Sequence, residues 1–142
     1  MDLQKIQEMF DKDSKIDETN INLEETRSPA LLNKYLKLYS NFRLMHSKAE
    51  SDMKLLRKQK WEYYSGKSDP KVYQEKPFDL KVLKQDIPTY LESDEDLIQA
   101  KHKVDYHNAM CDYAESVCKM MNNRGFQIKN AIDWKRFMEG SL

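Results

Sequence analysis

Three observations predict a mainly α fold. Only three glycines and four prolines punctuate the 142 residues, and charged side chains make up 34% of the chain against 39% hydrophobic. Two long stretches repeat apolar residues at spacings of three and four, the period of a helix that buries one stripe. Such a chain builds long exposed helices rather than turn-rich sheets. The expected architecture is a single helical domain over residues 1–142 with a modest core: two long antiparallel packed helices, with short N- and C-terminal helices.

The first element lies within residues 1–28. Asp2 is placed to cap a short helix whose Leu3, Ile6, Met9 and Phe10 share one face. A polar, acidic loop follows, with Ile16, Ile21 and Leu23 as isolated anchors. Asp11-x-Asp13 begins like a calcium loop. Lys15 stands at its third ligand position, however, Ile16 replaces the glycine and Asn22 the bidentate glutamate, so calcium is rejected.

Ser28-Pro29 reads as a helix start, because serine caps and proline at the first helical position gives up no needed hydrogen bond. The first long helix is accordingly expected over 29–66, with Gly66 as its C-cap. Leu32, Tyr35, Tyr39, Phe42, His46, Ala49, Met53, Leu56, Lys60 and Tyr63 form its seam. Gly66-Lys67-Ser68 resembles the tail of a phosphate-binding loop. Trp61 fills the position where that loop needs its first glycine, so no nucleotide site of that kind is expected.

The connector, 67–92, carries three of the four prolines. Phe78, Leu80 and Val82 alternate with Asp79 and Lys81, which suits either a short β segment within 70–92 or a connector lying along the long helix. Ser93 or Asp94 then caps the second long helix, 93–123, with acidic residues in its first turn where the helix dipole favours them. Its seam is Leu97, Ala100, Val104, His107, Cys111, Ala114, Cys118 and Met121. Small residues in this seam are suited to receive Tyr35, Tyr39 and Phe42 of the first. His102, His107, Cys111 and Cys118 do not make up a four-ligand zinc set, and Cys111 and Cys118, about 10 Å apart along one helical face, are too distant for a disulfide. No metal or other cofactor is expected.

Asn122-Asn-Arg-Gly125 is read as the stop of that helix, leaving a C-terminal segment over 124–142. Phe126, Ile128, Ile132, Trp134, Phe137 and Met138 make it unusually apolar. Either it is a self-association surface or it docks across its own hairpin.

Function is read from charge. The balance is −4 over residues 1–30, +7 over 31–84 and −3 over 85–142, so a chain of zero net charge has a basic middle. Within that middle, Lys54, Arg57, Lys58, Lys60 and Lys67 stand against the lone anion Glu62, with Trp61, Tyr63 and Tyr64 among them. Cations neutralise phosphates and aromatic faces stack on unpaired bases of any identity, so the mixture suits single-stranded nucleic acid. The same pattern also describes a solvated helix surface whose aromatics belong to a core. The alternative function is then a helical protein-protein adaptor without direct DNA binding. An enzyme ranks third, since no nucleophile with a neighbouring base and no glycine-rich loop is present. The N-terminus lacks the basic start and apolar run of a secretory signal, and no apolar stretch approaches a membrane span, so a soluble intracellular protein is expected.

Three stretches carry a family resemblance: Lys58-Gln-Lys60-Trp-Glu-Tyr63-Tyr64-Ser65-Gly66, Arg124-Gly125-Phe126-Gln-Ile128-Lys129, and Arg136-Phe137-Met-Glu139-Gly140. In these the chain resembles the UvsY family of recombination mediators from T-even-type phages. The likeness covers most of the chain after about residue 16 and is poor in the N-terminal helix and the 67–92 connector. It implies a protein without catalytic activity, acting in the cytoplasm of the infected host cell. As a ring-like homo-oligomer it would bind single-stranded DNA and help a UvsX-type recombinase load onto strands covered by single-strand-binding protein. The family's DNA-binding basic pair falls on Lys58 and Lys60. Lysine at the second position, where the pattern usually has arginine, keeps the charge and loses the planar fork. Trp61 stands where the family has an aliphatic residue. The family's C-terminal self-association matches the apolar tail.

Overall fold

The computed structural model describes residues 1–140; Ser141 and Leu142, the last two positions of the expected C-terminal segment, lie outside the described residues. The elements are α1 (Leu3–Asp13), a 3₁₀ turn at Glu18–Asn20, α2 (Ile21–Tyr64), α3 (Pro70–Glu75), a second 3₁₀ turn at Lys84–Asp86, α4 (Ile87–Glu92) and α5 (Glu95–Met138). The fold is all helical, with α2 and α5 packed antiparallel. No strand occurs among the described residues, and 78–83, whose alternation suits a short β segment, is irregular connector.

The residues gather into two compact units. One holds Met1–Phe42 with the chain from Ala109 onward, the other Arg43–Asn108. In the first, Ile6, Leu31, Tyr35, Phe42, Met110, Cys111, Ala114, Val117 and Met121 form the core. Asp2 caps α1 by accepting from the Lys5 N–H at 2.9 Å, and the apolar face of α1 joins this core as expected. Phe10 meets Tyr35 and Tyr113 edge-on, at 6.0 and 6.3 Å between ring centroids. The Tyr35 hydroxyl donates to Asp13 at 2.9 Å and Lys34 Nζ to the same carboxylate at 2.6 Å, which pins the end of α1 to α2. In the second unit Ile87, Leu91 and Leu97 form the core, with Leu56, Tyr64 and Val82 against them.

Both seams are where the spacing places them: every member of the two is buried or half-buried. Two element boundaries are corrected. Helix α2 starts at Ile21 rather than at Pro29, and Pro29 lies inside it. Proline removes the bond that the Glu25 carbonyl would accept, but Pro29 and Glu25 are both exposed, so water can satisfy that carbonyl. Ser28 is no cap; its hydroxyl bonds back to the Glu24 carbonyl at 3.3 Å.

Helix α5 likewise runs through Gly125 to Met138. The reason is Arg124, which is buried and forms an ion pair with the buried Glu24. Its Nη1 also donates to the Glu24 carbonyl at 2.7 Å and to Ser28 Oγ at 2.8 Å. One arginine therefore ties the early turns of α2 to α5. With the full burial of Ile128, this outweighs a mid-helix glycine, which costs only about 1 kcal/mol against alanine.

Candidate nucleic-acid interface

The basic window occupies the last turns of α2 and the turn that ends it, all within the second unit. Lys67 N–H donates to the Glu62 carbonyl at 2.8 Å and Gly66 N–H to Tyr63 at 3.3 Å, the paired bonds of a Schellman end. Gly66 takes φ +76°, the left-handed conformation that this end requires. The reversal brings Lys67 back over the helix, with Nζ 4.6 Å from the centre of the Trp61 ring. A cation over the indole face is attracted by its π electrons and restrains the ring.

Helical spacing sorts the window into two faces. Lys54, Arg57, Lys58 and Trp61, at i, i+3, i+4 and i+7, are exposed and line one cleft of about 560 Å³. Its remaining wall comes from the connector and α4: Lys84, Ile87, Pro88 and Leu91. Four cations, one indole and an apolar floor therefore converge, and no carboxylate lines the cleft among the described residues. None of the four cations is in an ion pair with a described residue.

Lys60, Tyr63 and Tyr64 lie on the other face. Lys60 Nζ is 2.7 Å from Asp96 and 3.3 Å from Asp94, with its side chain only 17% exposed. Burial pulls its pKa down, but the two carboxylates outweigh burial and the net shift is upward. Asp94 also accepts from the Tyr64 hydroxyl at 2.5 Å and caps α5 through the Leu97 N–H at 3.0 Å. Burial pushes its carboxyl up; the Tyr64 hydroxyl, the Leu97 N–H and Lys60 together reverse this and hold it below its ordinary range. Tyr63 stacks on Tyr73 at 5.4 Å and meets Phe78 at a tilt, while Tyr64 meets Phe78 edge-on and Tyr90 at 5.5 Å. These three residues border a separate cleft of about 640 Å³ whose walls also carry Glu62, Asp69 and Asp96. Those carboxylates make it a poor host for a polyanion.

Of the eight residues singled out from the sequence, four thus line the cation-rich cleft and Lys67 lies over its indole. Lys60, Tyr63 and Tyr64 connect α2 to the connector and α5. Sequence reasoning missed Lys84, Ile87, Pro88 and Leu91, which join the cleft through the chain reversal after Gly66. In the C-terminal segment Phe126, Trp134, Phe137 and Met138 are exposed, Trp134 and Phe137 stacking at 5.8 Å, whereas Ile128 is fully buried and Ile132 half-buried.

Fold and site together define an all-helical protein with a cation-lined, indole-walled cleft. The family model described as "Recombination, repair and ssDNA binding protein UvsY" matches residues 9–141, and the chain belongs to that family. It is 26% identical over 140 residues, 99% of either chain, to the "Recombination protein uvsY" of Enterobacteria phage T4. Crystal structures of the bacteriophage T4 recombination mediator protein UvsY are similar throughout. Lattice type II gives a TM-score of 0.85 at 26% identity, covering 98% of both chains, and lattice type I gives 0.83 at 26%, covering 94% of this chain and 98% of that one. Among the described residues no helix is long and apolar enough to cross a membrane.

Proposed function

We propose that the protein is a non-enzymatic recombination mediator working in the cytoplasm of an infected host cell. It binds single-stranded DNA as a ring-like homo-oligomer and promotes loading of a UvsX-type recombinase onto strands covered by single-strand-binding protein. The observation that supports this best is the cleft in which Lys54, Arg57, Lys58 and Trp61 meet without an opposing carboxylate, in a chain of a single-strand-binding family. Phosphates displace counterions from the cations, and unpaired bases, unlike duplex ones, offer faces to the indole. Lys67 assists by holding that ring, while Lys60, Tyr63 and Tyr64 fix the end of α2 so that the cations project together. Self-association through Phe126, Trp134, Phe137 and Met138, with Ile128 and Ile132 on the same helix packed inward, multiplies a weak site. Several such clefts along one strand raise avidity by about 10²–10⁴.

The test is recombinase filament assembly on a strand pre-covered by single-strand-binding protein. Wild-type protein is expected to speed assembly, and the Lys54→Gln/Lys58→Gln double variant to lose that effect together with strand binding. Stimulation that persists in a variant unable to bind DNA would instead make the protein a protein-protein adaptor.

A further inference from the structure

The residues Lys84, Ile87, Pro88 and Leu91 come from the part of the chain with the least regular structure, yet they complete the cleft. Lys84 opens the 3₁₀ turn Lys84–Asp86, is exposed, and has no carboxylate partner among the described residues. Ile87 and Leu91 are 5% and 4% exposed, so the floor they provide is anchored in the core of the second unit rather than free to collapse into the cleft. Pro88, the second residue of α4, is exposed with a rigid ring. Across from them is Trp61, 37% exposed and restrained by the Lys67 cation.

A pre-positioned aromatic, a fixed apolar floor and cations on both walls together match one nucleotide. A nucleobase is flat and apolar on its faces, and its flanking phosphates need positive charge on either side. A phosphate track alone would need no apolar floor, and an apolar peptide helix would not need four unpaired cations. Resting on the single-strand-binding reading above, we infer that this cleft takes one unpaired base of a DNA strand. The base stacks on Trp61 above Pro88 and Leu91, and Lys84 is a phosphate ligand contributed by the connector opposite Lys54 and Lys58. The site reads no base identity, since the polar groups lining it are cations suited to the backbone and every base has a stacking face.

Fluorescence anisotropy on two labelled strands of equal length tests this: an oligothymidylate and an all-abasic phosphodiester strand. Trp61→Leu is expected to weaken oligothymidylate binding by about tenfold or more, the scale of one lost base stack, and to leave abasic-strand binding unchanged. Lys84→Gln is expected to weaken both strands and to flatten the dependence of log K on log salt by about 0.7, the single-strand value for one phosphate contact. Circular dichroism should show both variants fully helical, since both side chains are exposed.

Equal loss on the two strands with Trp61→Leu, or an unchanged salt slope with Lys84→Gln, would overturn the inference while leaving strand binding intact. Wild-type protein that holds neither strand would overturn the single-strand-binding reading itself. A poly-glutamate peptide competing as well as oligothymidylate at equal charge would overturn the base site in favour of an acidic protein partner.

Discussion

At the scale of the residue, two lysines one turn-fraction apart are given different work by their surroundings. Lys58 is exposed and unpaired, whereas Lys60 is held by Asp94 and Asp96. Neutralising Lys58 should therefore reduce strand affinity and its salt dependence without moving the unfolding midpoint. Lys60→Gln should lower the midpoint instead, and denaturant titration beside anisotropy reads both. Asp94→Asn is the complementary change, expected to cost about 2 kcal/mol because a buried carboxylate with three partners is removed. Its pH signature has a definite sign. The folded chain holds the Asp94 carboxyl below its ordinary value of 3.8, so the unfolded chain binds the proton first. Stability from this group is present above that value and drains away as pH falls through the lowered one. Glu24 and Asp13 are shifted the same way. Unfolding followed by circular dichroism from pH 6 to 2 should show stability falling with pH, less steeply in the Asp94→Asn variant. The cations and rings of this window were legible because they are contiguous in the chain. Their division between cation-lined cleft and internal brace was not, because it depends on Asp94 and Asp96, some thirty residues away.

At the scale of the element, the seams of α2 and α5 could be read from spacing alone and the caps Asp2 and Gly66 from residue type, while of the two candidates Ser93 and Asp94 it is Asp94 that caps α5. The two misplaced ends share a cause. Ser28-Pro29 is a local start signal and Asn122-Asn-Arg-Gly125 a local stop signal, but Glu24 and Arg124 lie beside them and form a buried pair across 100 positions of sequence. No local pattern announces such a pair. Arg124→Met leaves Glu24 buried with only Arg27 to meet it, and should cost about 3–5 kcal/mol in urea unfolding. Replacing both Glu24 and Arg124 by methionine should recover most of that loss. Gly66→Ala tests the other boundary. No heavy atom lies within 4 Å of an added Cβ, so only the left-handed backbone is penalised, by about 1–2 kcal/mol. If the Schellman turn positions Lys67, that variant should also change Trp61 fluorescence in a Trp134→Phe background.

At the scale of the whole molecule, the chain exposes Phe126, Trp134, Phe137 and Met138 at one end of α5, an apolar cost to any isolated subunit. Trp134→Glu/Phe137→Glu should yield smaller particles by light scattering with helical content intact, and weaker strand binding through lost avidity. Composition marked the tail as unusually apolar and the middle as basic, but not which of the tail's apolar residues are exposed. It could not disclose how the connector returns Lys84, Pro88 and Leu91 to the end of α2, since that depends on the chain reversal after Gly66. The central claim is that a strand's phosphates lie along Lys54, Arg57 and Lys58. The salt dependence of oligothymidylate affinity, measured for wild type and for the triple glutamine variant, tests it most directly. The account predicts that log K falls linearly with log salt and that the variant's slope is shallower by about 2, three contacts at about 0.7 each. A variant whose slope equals that of the wild type would contradict it.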